Sequence, residues 1–198
     1  MNRGLASMAA SVSASELSAG DIPSQLPLSA AASQPITLEK DGDTWQLTPR
    51  AGYRIAARVL HSKQYDDRQS GLSPVDLALG WGMLSEPRID DWIEWSQDNR
   101  WYYYHYRRVL SVPFPRDYVL EHSANVHIIP ATASLEAVLR ELRGNEIVLL
   151  DGMLVDVEAD TDLGTFAYRT SLSRDDEGDE SCEIMYVERV VKDGVEYR

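Results

Sequence analysis

A chain of 198 residues with 43% hydrophobic and 9% aromatic residues has enough apolar material for one domain with a real core and a tail. Its formal net charge of −13 argues against a broad nucleic-acid or anionic-membrane surface, because both demand a basic face that releases counterions; a basic protein partner, a cation or simple solubility suits it better. The single cysteine, Cys182, excludes an intrachain disulfide and leaves the compartment open, and no apolar run reaches the ~18 residues of a membrane-spanning helix.

Residues 1–34 are rich in Ala and Ser and lack aromatics, which reads as a flexible leader outside the fold. The ordered domain is expected over residues 35–192, with a fraying tail over 193–198. Ile36–Glu39 and Thr44–Leu47 flank the turn signal Lys40-Asp41-Gly42-Asp43, so a small hairpin is expected, ended by Pro49. Tyr53–His61 alternates, with Tyr53, Ile55, Ala57, Val59 and His61 on one strand face and Arg54 and Arg58 on the other. Ser73-Pro74-Val75-Asp76 predicts a capped helix stopped by Gly80 and Gly82, and Ser85-Glu86-Pro87 predicts a second short helix with Ile89, Trp92 and Ile93 on its buried stripe. Trp81, between two glycines, is either a core plug or a stacking platform.

Asp98-Asn99 turns the chain into an aromatic strand. Trp101, Tyr103 and His105 share one of its faces, and Tyr102, Tyr104 and Tyr106 share the other. Tyr118–Leu120 reads as extended, Val126–Ile129 as a strand stopped by Pro130. A helix capped by Ser134 is predicted over Leu135–Arg143, with Leu135, Val138, Leu139 and Leu142 inward and Gly144 as its left-handed C-terminal residue. Glu146–Val157 reads as one long strand kinked at Gly152 rather than a hairpin at Asp151-Gly152. Thr165–Leu172 and Cys182–Val191 complete the strands, separated by the acidic loop Ser173–Ser181. The fold class is α+β: mainly an antiparallel coiled sheet or an oligonucleotide-binding (OB)-like barrel with short helices between strands.

No stretch carries a phosphate-binding glycine loop, an HExxH or a nucleophile elbow. His122 and His127 are five apart, so on a regular strand they point to opposite faces; a shared metal site, completed by His61 or Glu121, would need a bend. The plainer reading has these histidines and Asn125 bonding the backbone around a turn. The acidic loop Asp175, Asp176, Glu177, Asp179, Glu180 offers hard oxygen ligands but lacks the EF-hand pattern, and reads as a solvated charge run. Cys182 would need a histidine brought close by folding to act chemically; otherwise it is a small buried hydrophobe. No cofactor is implied.

The blocks SPVDLALGWG (Ser73–Gly82), HSANVHIIPA (His122–Ala131) and SLSRDDEGDESCE (Ser171–Glu183) resemble a group of bacterial proteins of uncharacterised activity. Within the blocks, His122, Ser123, Asn125, His127, Arg174, Asp175, Cys182 and Glu183 form the expected structural motif. The resemblance covers about residues 44–190 and brings no activity. Members often start with a membrane-anchoring segment, which this sequence lacks, so it reads as soluble as written, in the bacterial cytoplasm or the periplasm and envelope, or as truncated at its start. Met83 stands where the group usually has proline.

The expected function is a non-catalytic binding or accessory domain that uses Trp81 and Trp101–Tyr106 as its surface, for a protein partner in preference to nucleic acid. The alternatives are a metal-dependent hydrolase built on His122 and His127, and a single-stranded nucleic-acid module.

Overall fold

The computed structural model describes residues 24–26, 28–29, 32–40, 42–107, 112–115, 117–161, 164–173 and 181–198. The organising element is β3 (Asp43–Gln64), 22 residues long. It pairs antiparallel with β2 (Ile36–Lys40) across the predicted hairpin, with the short β1 (Ser24–Leu26) and with β4 (Val75–Gly80). On its other edge it pairs antiparallel with β8 (Ile147–Thr161). The ladder continues from β4 to β7 (Ser123–Pro130), then in parallel to β10 (Glu183–Lys192), and from β10 antiparallel back to β8. β9 (Gly164–Tyr168) extends β8, and β11 (Val195–Tyr197) extends β10. A separate hairpin joins β5 (Ile93–Asp98) to β6 (Trp101–Tyr106). Among the described residues the α-helices are the single turn α1 (Tyr118–Glu121) and α2 (Ala133–Glu141), so the domain is α+β and mostly antiparallel sheet. Among the described residues no helix is long and apolar enough to cross a membrane.

Strand alternation sorts the core. Tyr53, Ile55, Ala57 and Val59 of β3 meet Leu77 and Leu79 of β4, Val126 and Ile128 of β7, Leu150 of β8 and Val187 of β10, and α2 lays Leu135 and Leu139 against them. Leu142, just past the helix, joins them, and Val138 is only partly buried. Each such side chain withdrawn from water contributes about 1.5–3 kcal/mol. The hairpin and its flanking turns make a further cluster with Leu60 and Ala78 on the other side of β3 and β4.

Local signals misled at several places. Val75–Gly80 is a strand, not a helix: all six residues are buried, and two flanking ladders satisfy their backbone groups better than an isolated short helix could. The predicted second helix is a pair of 3-10 turns, Gly82–Ser85 and Pro87–Asp91, and Ile93 already belongs to β5. Pro49 does not end its strand; it sits at a register shift between Pro49 and Ala51, where a missing N–H is tolerated. Tyr118–Leu120 is helical rather than extended. Thr132, not Ser134, caps α2 by accepting from the Leu135 amide at 3.2 Å, and the left-handed residue beyond the helix is Asn145, not Gly144. The expected tail instead folds back through Asp193-Gly194, both left-handed, as β11. Ser24–Leu26, inside the stretch read as a leader, adds an edge to β3.

One long strand through Gly152 is as expected, but the irregularity expected there lies on its partner β10. β8 runs unbroken through Gly152, opposite a bulge between Val187 and Arg189 of β10. A Cβ on Gly152 would collide with the backbone carbonyl of Tyr186. Gly152→Ala is therefore expected to cost about 1–3 kcal/mol, because backbone rather than a flexible side chain must yield. Urea denaturation measures it, and a loss within error would mean that the crossing is looser than this.

Candidate functional site

Three strands that are adjacent in the ladder, β4, β7 and β10, bring together residues far apart in the chain. Asp76 of β4 lies directly across from His127 of β7, and His127 is in register with Ile184 of β10. Alternation turns these side chains away from the apolar cluster under α2, onto the opposite face. Asp76 is fully buried. Its Oδ2 lies 3.0 Å from His127 Nδ1, off the straight N–H···O line.

Its Oδ1 accepts from Arg100 Nη1 at 3.1 Å. Arg100 reaches there from the hairpin tip. Asn99 and Arg100 are both left-handed, with φ of 50° and 69°, as a two-residue turn between right-twisted strands requires. The guanidinium also donates to the Ser73 carbonyl at 2.8 Å and to Asp67 at 2.7 Å, and lies 3.9 Å over the Tyr65 ring. Tyr65 in turn accepts from the Arg100 amide. Burial, and then the charge of Asp76, push the Tyr65 phenol up to about 12.

Burial alone would lower the basicity of His127. The adjoining Asp76 carboxylate, and then Cys182, outweigh burial and raise its pKa to about 9. His127 is therefore an imidazolium at neutral pH. Cys182, half-buried just before β10, lies on the same cavity wall as that ring, and its Sγ is 3.8 Å from Asn125 Nδ2. Asn125 donates to the Arg100 carbonyl at 2.9 Å and accepts from Gln97 at 2.7 Å.

This group borders a cavity of about 470 Å³. Trp45, Leu72, Trp101, Ile129, Tyr168 and Ile184 give it apolar walls, and His127, Cys182, Ser73, Arg100 and Arg169 supply its polar part.

The predicted site residues separate. The three candidate metal histidines do not converge. His61 Nδ1 is 2.9 Å from Gln97 Oε1. His122 stacks on Tyr118 at 3.7 Å, with Nδ1 3.1 Å from that residue's carbonyl. His127 faces Asp76. Thus His122 bonds the backbone as expected, whereas His127 is ion-paired with a carboxylate instead. Among the described residues no group of three or more His, Cys, Asp or Glu side chains is arranged to hold a metal ion.

Trp81 is fully buried in the main core and belongs to no surface. In the aromatic strand, Tyr102, Tyr104 and Tyr106 pack on the hairpin cluster. Tyr103 is 51% exposed and His105 is exposed, while Trp101 lines the cavity. Ser123 is buried and donates to the Val119 carbonyl at 2.6 Å. Glu183 is buried with both carboxylate oxygens accepting from the Tyr53 hydroxyl, at 3.0 and 2.9 Å. Arg174, Asp175 and the rest of the acidic loop to Glu180 lie outside the described residues.

Sequence reasoning missed Asp76 and Arg100. The available signal was a carboxylate inside the apolar run VDLALG, a placement too costly for a strand without a buried cationic partner. No family model, curated protein or solved structure matches the chain.

Proposed function

We propose that the chain is a non-catalytic binding or accessory domain on an OB-like barrel, and that its ligand site is the cavity beside His127. Support for the barrel is the closed circuit of pairings β3–β4–β7–β10–β8–β3, with one parallel step at β7–β10 and α2 between β7 and β8. The observation that carries the function is the cavity of about 470 Å³ with apolar walls and a cationic imidazole in its polar part. That volume suits a small organic molecule or one large apolar side chain of a protein partner. The imidazolium favours a ligand with an anionic or strongly polarised end; Arg169 is already paired with Glu158.

The alternatives have less support. A metal-dependent hydrolase needs His122 and His127 on one ion, and their rings are held by different partners. A single-stranded nucleic-acid module needs outward aromatics and a basic track; half the aromatic row packs inward, and the net charge is −13. Association with the bacterial envelope is part of the proposal only through the resemblance of the three sequence blocks.

The test is titration with 8-anilinonaphthalene-1-sulfonate, an apolar aromatic with an anionic end. One saturable site is expected, with affinity reduced at least about tenfold in Ala167→Trp, since Ala167 is exposed and lines the cavity. Unchanged affinity in that variant would place binding elsewhere.

A further inference from the structure

We propose that Cys182 and His127 form a reactive thiol–imidazole pair, positioned by Asp76, and that the cavity takes an apolar acyl group on a good leaving group, which it transfers to Cys182. The inference deepens the cavity reading and rests on it: the ligand is captured covalently rather than only held.

Four observations converge. Cys182 is an unpaired, half-buried thiol on the cavity wall, where the ring of His127 also opens. The ring is set by a fully buried carboxylate 3.0 Å away, so it is oriented from behind, as the cationic partner of a thiolate nucleophile must be. Asp76 does not touch the ligand space; it acts through His127 and is a positioning residue. Arg100 holds Asp76 from its other oxygen, which leaves the imidazole as the mobile-proton group. Finally, the walls beyond the thiol are apolar, which suits an acyl chain.

Thiols become nucleophilic when a neighbouring cation stabilises the thiolate and solvent still reaches the sulfur; here His127 shares the cavity wall with Cys182, which is only half-buried. Among the described residues, the charged and titratable groups around Cys182 are His127, Asp76 behind it, Arg100 at the hairpin tip, Arg169 on the cavity wall, Tyr102 from β6 and Glu183 next in sequence.

The step balances without an oxidant. The thiol proton resides on His127, the sulfur attacks the acyl carbonyl carbon, and an S–C bond forms. The bond from that carbon to the leaving oxygen or sulfur breaks, and His127 returns the proton to the departing alcohol or thiol. The products are a thioester on Cys182 and the released leaving group.

The probe is p-nitrophenyl hexanoate. The expected result is one hexanoyl adduct on Cys182 by mass spectrometry, with stoichiometric release of p-nitrophenol and none in Cys182→Ser. Iodoacetamide should alkylate the wild-type thiol at pH 6 at least about tenfold faster than free cysteine. Its rate should stay nearly flat between pH 6 and 8, and His127→Gln should restore the steep dependence of an ordinary thiol. If that variant does not fold, the wild-type pH profile decides alone. A rate falling tenfold per unit below pH 8, or labelling that ignores the His127 change, would overturn the proposal. Saturable anilinonaphthalene sulfonate binding without acylation would overturn this step and leave the cavity reading standing; loss of both would remove both.

Discussion

Asp76→Ala is expected to destabilise the domain by about 3–5 kcal/mol, the penalty for stranding buried charges by removing their partner. Asp76 is fully buried and answers two cations at once, Arg100 at 3.1 Å and His127 at 3.0 Å. Without it Arg100 keeps Asp67 and the Ser73 carbonyl, but the imidazolium loses its nearest anion. The pH dependence should follow. His127 has a folded pKa of about 9 against an ordinary 6.5, so the folded state binds the proton more tightly than the unfolded chain does. Its stabilisation is complete below about pH 6.5 and is lost as pH rises through about 9. Thermal melts should show wild-type stability declining across that window, and Asp76→Asn should flatten the decline. A wild-type melting temperature that is level from pH 6.5 to 9 would contradict the ion pair.

Leu139→Ala is expected to cost about 2–5 kcal/mol, the range for emptying a buried leucine site that can relax only in part. Leu139 is fully buried between α2 and the strands. Val138, one residue away and only partly buried, should give a distinctly smaller loss on the same change. Urea unfolding with an unchanged denaturant slope would assign both effects to native packing. A Leu139→Ala loss below about 0.5 kcal/mol would show that α2 does not close the core.

What the sequence determined by itself is whatever one local period carries. The i, i+3, i+4 spacing of Leu135, Val138, Leu139 and Leu142 defines α2 and its inward face. The alternation through Tyr53, Ile55, Ala57 and Val59 defines the inward face of β3, and the aromatic run makes β6 with the two faces expected of it. Gly152 marks a strand crossing because only glycine admits the Tyr186 carbonyl there.

The site was not legible in that way. Ser73-Pro74-Val75-Asp76 reads as a helix start because capping is a local preference worth about 1 kcal/mol, and two long-range ladders override it. Once Val75–Gly80 is a strand, Asp76 points where a helix would never have put it, across from His127. The tertiary structure alone decided that partnership, because register between β4, β7 and β10 is set by pairings among residues 43 to 57 positions apart and by the burial pattern they share. It also decided that the hairpin tip carries Arg100 into a buried carboxylate. The same register sets Cys182 and His127 on one cavity wall, a placement that no local spacing in the sequence could show.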